Sequence, residues 1–333
     1  MTRKAAHSIR YLYKLQNLVI LGLVITVIAL VTALLVIAIL VTIGLNFNKS
    51  NFPVQAITRS RCQVDQEFIF IPAGNFIAGS NSAERDYAYR ISAIAAASKP
   101  ELVTQAEQQL RNKRWFAWES PQQVLSLPAF CISRNLVTNA EYQAFVKATG
   151  YPIPGISEKE YQQQGFLVHS YSAVKPFLWQ NGNYPPGEAN YPVVLVSYED
   201  ALAFAAWRGQ QDNYTYSLPS AQQWEKAARG TNGSYFPWGN QWQAEATNWS
   251  GSGKWHTSAI ASYPLSRSPY GVEDMAGNVF EYTSTLGQFN LKKAAVMKGC
   301  SWDDLPGFCR GAYQHTRPIQ SRHILFGFRL VRE

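Results

Sequence analysis

One uncharged segment near the N-terminus restricts what this chain can fold into more than any other feature. From Leu18 to Leu45 the sequence runs for 28 residues without a charged side chain and is rich in Leu, Val and Ile. As a helix this segment would measure about 42 Å, which exceeds the hydrocarbon thickness of about 30 Å. The sequence therefore predicts one transmembrane helix over residues 18–45, and the membrane as a partner of the chain.

The charges that flank this segment predict its orientation. Four basic residues and no acidic residue precede the segment, whereas three basic residues follow it at a greater distance. Positive charge favours the cytoplasmic side, so residues 1–17 are expected in the cytoplasm and the rest outside it, in the periplasm or the extracellular space. A cleaved signal peptide has an apolar core of only about 7 to 15 residues, so we expect an uncleaved anchor.

The remainder of the chain has the composition of one large globular domain. Residues 46–65 are polar and are interpreted as a linker, and residues 66–333 are expected to form the domain. Charged residues make up 16% of the chain and aromatic residues 14%, with ten Trp, which indicates a turn-rich α+β domain with an aromatic core. The formal net charge is +8, but the basic residues are scattered, which argues against nucleic-acid binding.

Several local patterns predict individual elements. An apolar run with a Gly-containing turn at residues 67–79 predicts two consecutive strands. Residues 83–119 predict one or two helices with a break at Lys99-Pro100. Three further helices begin with a capping-box pattern and are predicted to end at Gly150, Gly209 and Gly230; the starting pairs are Thr138 with Glu141, Ser197 with Asp200, and Ser220 with Gln223.

The four cysteines lack the spacing of common metal or redox motifs. No two of them form a CxxC pair, which excludes a zinc ribbon and a thioredoxin-type motif. In an oxidising compartment the sequence-nearest pairs would be Cys62 with Cys131 and Cys300 with Cys309. The sequence alone leaves the connectivity open.

Six phrases of the sequence are similar to one protein family. Residues 263–333 contain YPLSRSPYGVEDMAGNVFEYT, VMKGCSW and GFRLVRE, and upstream stand VTNAEYQAFVKATGY, YPVVLVSYEDALAFAAW and LPSAQQWEKAARG. Together they resemble the sulfatase-modifying-factor family, whose founding member is the formylglycine-generating enzyme. The resemblance covers about residues 66–332 and implies a C-type-lectin-like α+β fold. The family connection at residues 83–119 is shorter, so this stretch is interpreted as an insertion that forms a lid, a partner surface or padding.

The resemblance also implies a structural calcium ion. By position in the motif DMAGNVFE, the side chains of Asp274 and Glu281 and the carbonyls of Gly277 and Val279 would bind it. Such all-oxygen ligation suits a hard cation. The alternative is that Glu281 instead caps a helix or pairs with Arg329.

The catalytic positions of the family are only partly present. Family enzymes oxidise a substrate cysteine to formylglycine with Cu(I) held between two cysteines five positions apart, after a Gly-Ser-aromatic phrase. Ser301 and Trp302 keep the phrase, and Cys309 matches the second cysteine, but Asp304 stands at the first. The missing thiolate argues against copper and against the known oxidase chemistry. Cys300 stands where the family usually has glycine, and a buried, inert Cys309 is the alternative to a catalytic one.

Three histidines form a second candidate metal site. His169, His315 and His323 could ligate iron, copper or zinc. Iron-dependent relatives, however, take their histidines from a separate helical domain, and no segment of this sequence has that pattern. Iron is therefore not expected. We expect instead that these histidines are hydrogen-bonded and lie beside a polar C-terminal pocket.

These observations lead to one main hypothesis and two alternatives. The main hypothesis is a membrane-anchored, extracytoplasmic member of the family that has lost the copper-thiolate pair. It would bind a protein or peptide partner, act in assembly, or use diverged chemistry in the C-terminal pocket. The first alternative is an active oxidase with Cys300 and Cys309 as thiolates, so the sequence leaves open whether the chain is an enzyme. The second is a subunit of a membrane complex or a ligand-binding display protein.

Overall fold

Two four-stranded sheets and one two-stranded sheet form the β-structure of the part of the chain that the structure describes. The structure is a computed structural model, and it describes residue 32 and residues 59–332 except 63, 65, 166 and 167. The predicted transmembrane helix at 18–45 thus lies outside the described residues apart from Thr32. Within the described part, no helix has the length and apolar character needed to cross a membrane.

The first sheet brings the two ends of the domain together. Its strands are β1 (Phe68–Ile71), β4 (Phe130–Ser133), β5 (Tyr216–Ser217) and β10 (Val331–Arg332). The order is β1-β4-β10-β5 with antiparallel pairing throughout. The strand-turn-strand prediction at 67–79 is confirmed, because β1 is followed by β2 (Gly74–Ala78), which pairs with β3 (Gln123–Leu127).

The second sheet holds the C-terminal motifs. Its strands are β6 (Phe280–Phe289), β7 (Lys292–Lys298), β8 (His315–Pro318) and β9 (Phe326–Phe328). The order is β8-β7-β6-β9, with β6 and β9 parallel and the other pairs antiparallel. The long loop between β7 and β8 therefore starts and ends on adjacent strands, and it carries the predicted catalytic residues.

Eight α-helices lie among the described residues. They are α1 (Arg59–Cys62), α2 (Ser82–Ala96), α3 (Val103–Asn112), α4 (Asn139–Thr149), α5 (Glu158–Gln163), α6 (Tyr171–Val174), α7 (Tyr198–Asp212) and α8 (Ala221–Arg229). All three predicted capping boxes form, at the starts of α4, α7 and α8. The predicted end of α7 at Gly209 is wrong: the helix continues to Asp212, because Asn213 takes the left-handed conformation that caps it.

Residues 83–119 contain two helices, α2 and α3, as predicted. The break at Pro100 is confirmed, since a 3₁₀ turn spans Pro100–Leu102 between them. Helix α2 also packs on a second 3₁₀ turn, Pro306–Cys309, where the amide of Gly307 donates to the Ser92 hydroxyl at 2.9 Å. Residues 83–119 are thus an integral part of the packing around the loop between β7 and β8.

Aromatic side chains dominate the core, as the composition indicates. On α4 and α7 the rings of Tyr142 and Phe204 stack at 5.6 Å, and Phe145 and Phe328 meet them edge-on. Each fully buried aromatic ring contributes about 1.5–3 kcal/mol through removal from water. The rings therefore link the helices to the second sheet through β9.

Two disulfides close the domain, and the sequence-nearest pairing is the one observed. Cys62 of α1 is bonded to Cys131 of β4, and Cys300 is bonded to Cys309. The first joins the start of the described domain to the first sheet. The second closes the loop that follows β7.

Candidate functional site

The predicted catalytic residues lie in one closed turn, residues 300–310, which we call the C-terminal turn. The Asp304 carboxylate accepts hydrogen bonds from the backbone amide of Ser301 at 2.8 Å and from the Ser301 hydroxyl. Burial raises the pKa of Asp304 to about 6, against the lowering effect of these bonds. The Asp304 amide in turn donates to the Ser301 carbonyl at 3.2 Å, so the two residues close a local turn. Asp304 therefore stabilises the turn through Ser301.

The disulfide decides what Cys309 can do. Both Cys300 and Cys309 are fully buried, and their sulfurs are bonded to each other. A disulfide sulfur has no thiolate charge, and the carboxylate of Asp304 is a hard ligand, whereas Cu(I) selects soft thiolates. The residues present do not fit a copper ion at this turn.

A polar cluster forms on the outer side of the turn. The indole of Trp302 lies against the ring of His169, with centroids 5.2 Å apart, and His169 Nε2 is 3.1 Å from a carboxylate oxygen of Asp303. His323 is 5.9 Å from His169, ring to ring, and its Nε2 is 3.1 Å from the Tyr161 hydroxyl. The structure thus places His169 against the C-terminal turn and Tyr161 beside His323. The polar C-terminal pocket stays a prediction.

The predicted histidines do not form one metal centre. His315 stacks on Phe280 at 4.6 Å within the second sheet. Burial lowers the pKa of His323 to about 3 and that of His315 well below 6.5, so both are neutral at physiological pH. Across the described part of the chain, no group of three or more His, Cys, Asp or Glu is arranged to hold a metal ion.

Glu281 of the predicted calcium motif is engaged by an arginine. Both of its carboxylate oxygens accept from Arg329, at 2.5 and 2.9 Å, and both side chains are buried. Asp274 accepts from the Ala261 amide at 2.8 Å, and burial raises its pKa to about 6. The predicted pairing of Glu281 with Arg329 is confirmed, and this carboxylate does not fit a calcium ion while Arg329 holds it. The site at Asp274, Gly277, Val279 and Glu281 stays a prediction.

The same motif has a structural role that the sequence did not reveal. Gly277 has a φ of 75°, and a Cβ there would lie 1.9 Å from the Thr247 hydroxyl. Next to it, the Asn278 side chain bonds both the amide and the carbonyl of Ser258, at 2.8 and 3.0 Å. The Asn278 carbonyl accepts from the amide of Trp302 at 3.1 Å. The motif therefore fixes the loop around Ser258 and the C-terminal turn relative to each other.

Two clefts flank these elements. The first, the Glu188 cleft, has a volume of about 430 Å³ and is lined by Glu188, Tyr191, Lys254, His256, Thr257 and Ser258. Phe177 connects it to the C-terminal turn, because its ring stacks on His256 at 4.1 Å and lies parallel to Trp302 at 6.2 Å. No motif in the sequence pointed to Glu188.

The second cleft lies beside α5 and has a volume of about 650 Å³. One of its walls is fixed by Gln164, whose side chain bonds the carbonyl and the amide of Arg322 at 3.0 and 2.9 Å. The guanidinium of Arg322 pairs with the buried Asp200 at 2.7 Å. Exposed apolar groups such as Ile153 complete the lining.

A buried ion network joins residues 83–119 to the C-terminal turn. Arg310 donates two bonds to Glu119 and one, at 3.2 Å, to Glu84. Glu84 also pairs with Arg229 at 3.0 Å, and Glu225 pairs with Arg229 at 2.8 Å and with Lys298 at 3.2 Å. All six side chains are buried, and the three carboxylates face three cations: Glu84, Glu119 and Glu225 against Arg229, Lys298 and Arg310.

Comparison with known proteins agrees with this architecture. The mouse protein named inactive C-alpha-formylglycine-generating enzyme 2 is 30% identical over 233 residues, covering 61% of this chain and 72% of that protein. The formylglycine-generating enzyme of Mycobacterium tuberculosis is 30% identical over 214 residues, covering 52% and 69%. Hercynine oxygenase of Mycolicibacterium smegmatis is 29% identical over 253 residues, covering 64% and 55%.

A solved structure shows the same fold. PvdO from Pseudomonas aeruginosa superposes with a TM-score of 0.57 at 22% identity, covering 80% of this chain and 94% of that one. The family model for the sulfatase-modifying factor enzyme 1-like domain matches residues 54–333. The chain therefore belongs to the sulfatase-modifying factor enzyme 1-like family and has its mixed α/β fold.

Proposed function

We propose that this chain is a membrane-anchored, extracytoplasmic member of its family that does not oxidise cysteine with copper and acts by binding a protein or peptide partner. The observation that carries the proposal is the bond between Cys309 and Cys300, together with Asp304 bonded to Ser301. Where a copper pair would need two thiolates, this chain has a disulfide and a carboxylate.

Family membership alone does not decide the activity. The relatives include proteins named formylglycine-generating enzyme, one named inactive, and a hercynine oxygenase. The fold thus carries different activities in different members, so the activity of this chain has to be inferred from its site residues. At this site the retained residues, Ser301 and Trp302, stabilise and orient the turn.

The location outside the cytoplasm is supported by two independent observations. The 28-residue apolar segment and its flanking charges favour an anchor with a cytoplasmic N-terminus. Both disulfides suit an oxidising compartment, since thiols are kept reduced in the cytosol.

The two clefts support a binding role. Together with the His169–Asp303 pair they offer polar groups in concave surroundings, which is typical of ligand sites. A cleft of about 650 Å³ with an exposed Ile153 and a charged floor at Asp200 and Arg322 suits a peptide side chain and its backbone.

A direct oxidation assay tests the proposal. The full chain in detergent is incubated with Cu(I), oxygen and a peptide containing CxPxR, and mass spectrometry follows conversion of the peptide cysteine to formylglycine. We expect no conversion, and turnover by the unmodified protein would overturn the proposal.

Two arms make the assay sharper. The double variant Cys300→Gly with Asp304→Cys places two thiols five positions apart again and serves as the control for copper loading. A second arm adds a thiol reductant to the unmodified protein. If activity appears on reduction and disappears in Cys300→Ser, the chain is an oxidase that uses Cys300 and Cys309, and the binding proposal fails.

A further inference from the structure

The Glu188 cleft contains a carboxylate that pairs with no Lys or Arg among the described residues. Glu188 is half-buried, and among the described residues its carboxylate makes one ion-pair contact, with His256 Nε2 at 3.5 Å. That separation is too long for a good hydrogen bond. Lys254 lines the same cleft, but its ammonium lies 3.3 Å from the Ser258 hydroxyl and over the Tyr263 ring at 5.1 Å. A half-buried carboxylate without a partner is costly for the fold.

The imidazole of His256 presents a second acceptor to the same place. Its Nδ1 is 3.2 Å from both the carbonyl oxygen and the hydroxyl oxygen of Thr257. The hydroxyl can donate or accept a hydrogen bond, whereas the carbonyl can only accept one, so a protonated Nδ1 satisfies both contacts. We therefore assign the ring proton to Nδ1, which leaves a lone pair on Nε2 directed toward Glu188. While Glu188 is ionised, a donor group that contacts both of these acceptors, which lie 3.5 Å apart, would stabilise them.

The surrounding walls are fixed before any ligand arrives. The ring of His256 is stacked on Phe177 at 4.1 Å and meets Tyr191 edge-on at 6.1 Å. The backbone of Glu188 is held by the Asn139 side chain, which donates to its carbonyl at 2.9 Å. At the loop that carries His256, the indole of Trp255 is 63% exposed, which leaves a large apolar surface available to a ligand.

From this geometry we propose that the Glu188 cleft binds an organic cation, a primary ammonium or guanidinium group on a small apolar body. The N–H donors of the cation would bridge Glu188 and His256 Nε2, and its apolar part would lie against Tyr191. The volume of about 430 Å³ accommodates such a molecule. A bare divalent ion would find only two protein ligands here, fewer than metal sites normally provide.

The proposal predicts a pH dependence of known sign. Burial raises the pKa of Glu188 to about 7, and burial keeps His256 neutral by lowering its pKa. The other titratable groups that face Glu188 across the cleft are Lys254 and Tyr191. Only ionised Glu188 attracts a cation, so protonation competes with the ligand, and affinity should fall about tenfold from pH 8 to pH 6.

Calorimetric titration of the full chain in detergent tests the site. The probes are N-acetyl-lysine methylamide, N-acetyl-arginine methylamide and, as an uncharged match, N-acetyl-norleucine methylamide. We expect saturable binding of at least one cationic probe at pH 8, about tenfold weaker binding at pH 6, and no binding of the norleucine probe. The arginine and lysine arms distinguish a guanidinium site from an ammonium site.

The variant arm assigns the binding to the cleft. Glu188→Gln should weaken the cationic probe at least tenfold at pH 8 and remove the pH dependence, whereas Glu245→Gln, an exposed carboxylate outside the cleft, should leave both unchanged. The proposal is overturned if the norleucine probe binds equally well or if Glu188→Gln binds as tightly as the unmodified chain. It is also overturned if neither cationic probe binds while Zn²⁺ binds with dependence on Glu188 and His256. The pH series on the unmodified chain keeps the test decisive if Glu188→Gln fails to fold.

Discussion

Two regions of this molecule remove carboxylates from water, and they treat them in opposite ways. Beside the C-terminal turn, Glu84 and Glu119 are buried, and Arg310 and Arg229 neutralise them through direct contacts. In the Glu188 cleft, the one ion-pair contact that the described residues offer this half-buried carboxylate is a neutral imidazole at 3.5 Å. In the first region the carboxylates already have their cations, whereas in the second region the carboxylate can still bind one.

The difference separates charges that hold the fold from a charge that is available to a ligand. A buried carboxylate that already has its cations cannot accept another one without losing them. A carboxylate without a cation destabilises the folded chain, and such destabilised groups concentrate at functional sites. This contrast favours the Glu188 cleft as a binding site, although the family motifs lie at the C-terminal turn.

Removing the central cation should show the largest effect. Arg310→Met leaves Glu84 and Glu119 without their shared partner, and breaking a buried pair in this way costs about 3–5 kcal/mol. Chemical denaturation measures the loss. The control is Arg90→Met, whose pair with Glu107 spans 3.4 Å with Arg90 53% exposed, and it should cost less than about 1 kcal/mol. Equal effects of the two changes would contradict the role given to the network.

The close packing of residues 83–119 on the C-terminal turn can be disturbed without any change of charge. A Cβ on Gly307 would lie 2.5 Å from the Ser92 hydroxyl and 2.6 Å from the Ala88 carbonyl oxygen. Gly307→Ala should therefore destabilise the fold by about 1–3 kcal/mol. Gly155→Ala is the matched control, because its nearest neighbour is 3.9 Å away, and it should be nearly neutral. A Tm unchanged in Gly307→Ala would show that this contact gives way easily.

In the Glu188 cleft, removing the charge should change the stability of the fold with the opposite sign, that is, it should stabilise the protein. The pKa of Glu188 is raised from 4.5 to about 7 by burial, so its stability penalty is absent below pH 4.5 and develops as the pH rises to 7. Glu188→Gln should stabilise the protein by about 1 kcal/mol at pH 8, allowing for solvent screening of a half-buried group, and by nothing at pH 4.5. Denaturation at both pH values measures this, and a loss of stability at pH 8 would remove the contrast between the two regions.

Local sequence patterns predicted the helix starts well and the site only in part. The Ser-x-x-Gln and Thr-x-x-Glu boxes formed, because their donors and acceptors lie within one turn of the chain. The end of α7 was missed, since the left-handed Asn213 caps the helix beyond Gly209. For the site, the resemblance assigned Ser301, Trp302, Asp304 and Cys309 to the catalytic positions of the family. It did not reveal that Asp304 bonds Ser301 or that His169 lies against Trp302.

The sequence by itself determined the family, the apolar N-terminal segment, the capped helices and the substitution of Asp304 for a cysteine, because each depends on residues close together in the chain. The tertiary structure decided which of these residues meet. It paired Glu281 with Arg329, 48 positions away, and brought Glu188 to His256 across two loops. Such contacts depend on burial and on the geometry of the whole core. A carboxylate stabilises the fold when the fold places a cation beside it, and it is available to a ligand when the fold does not.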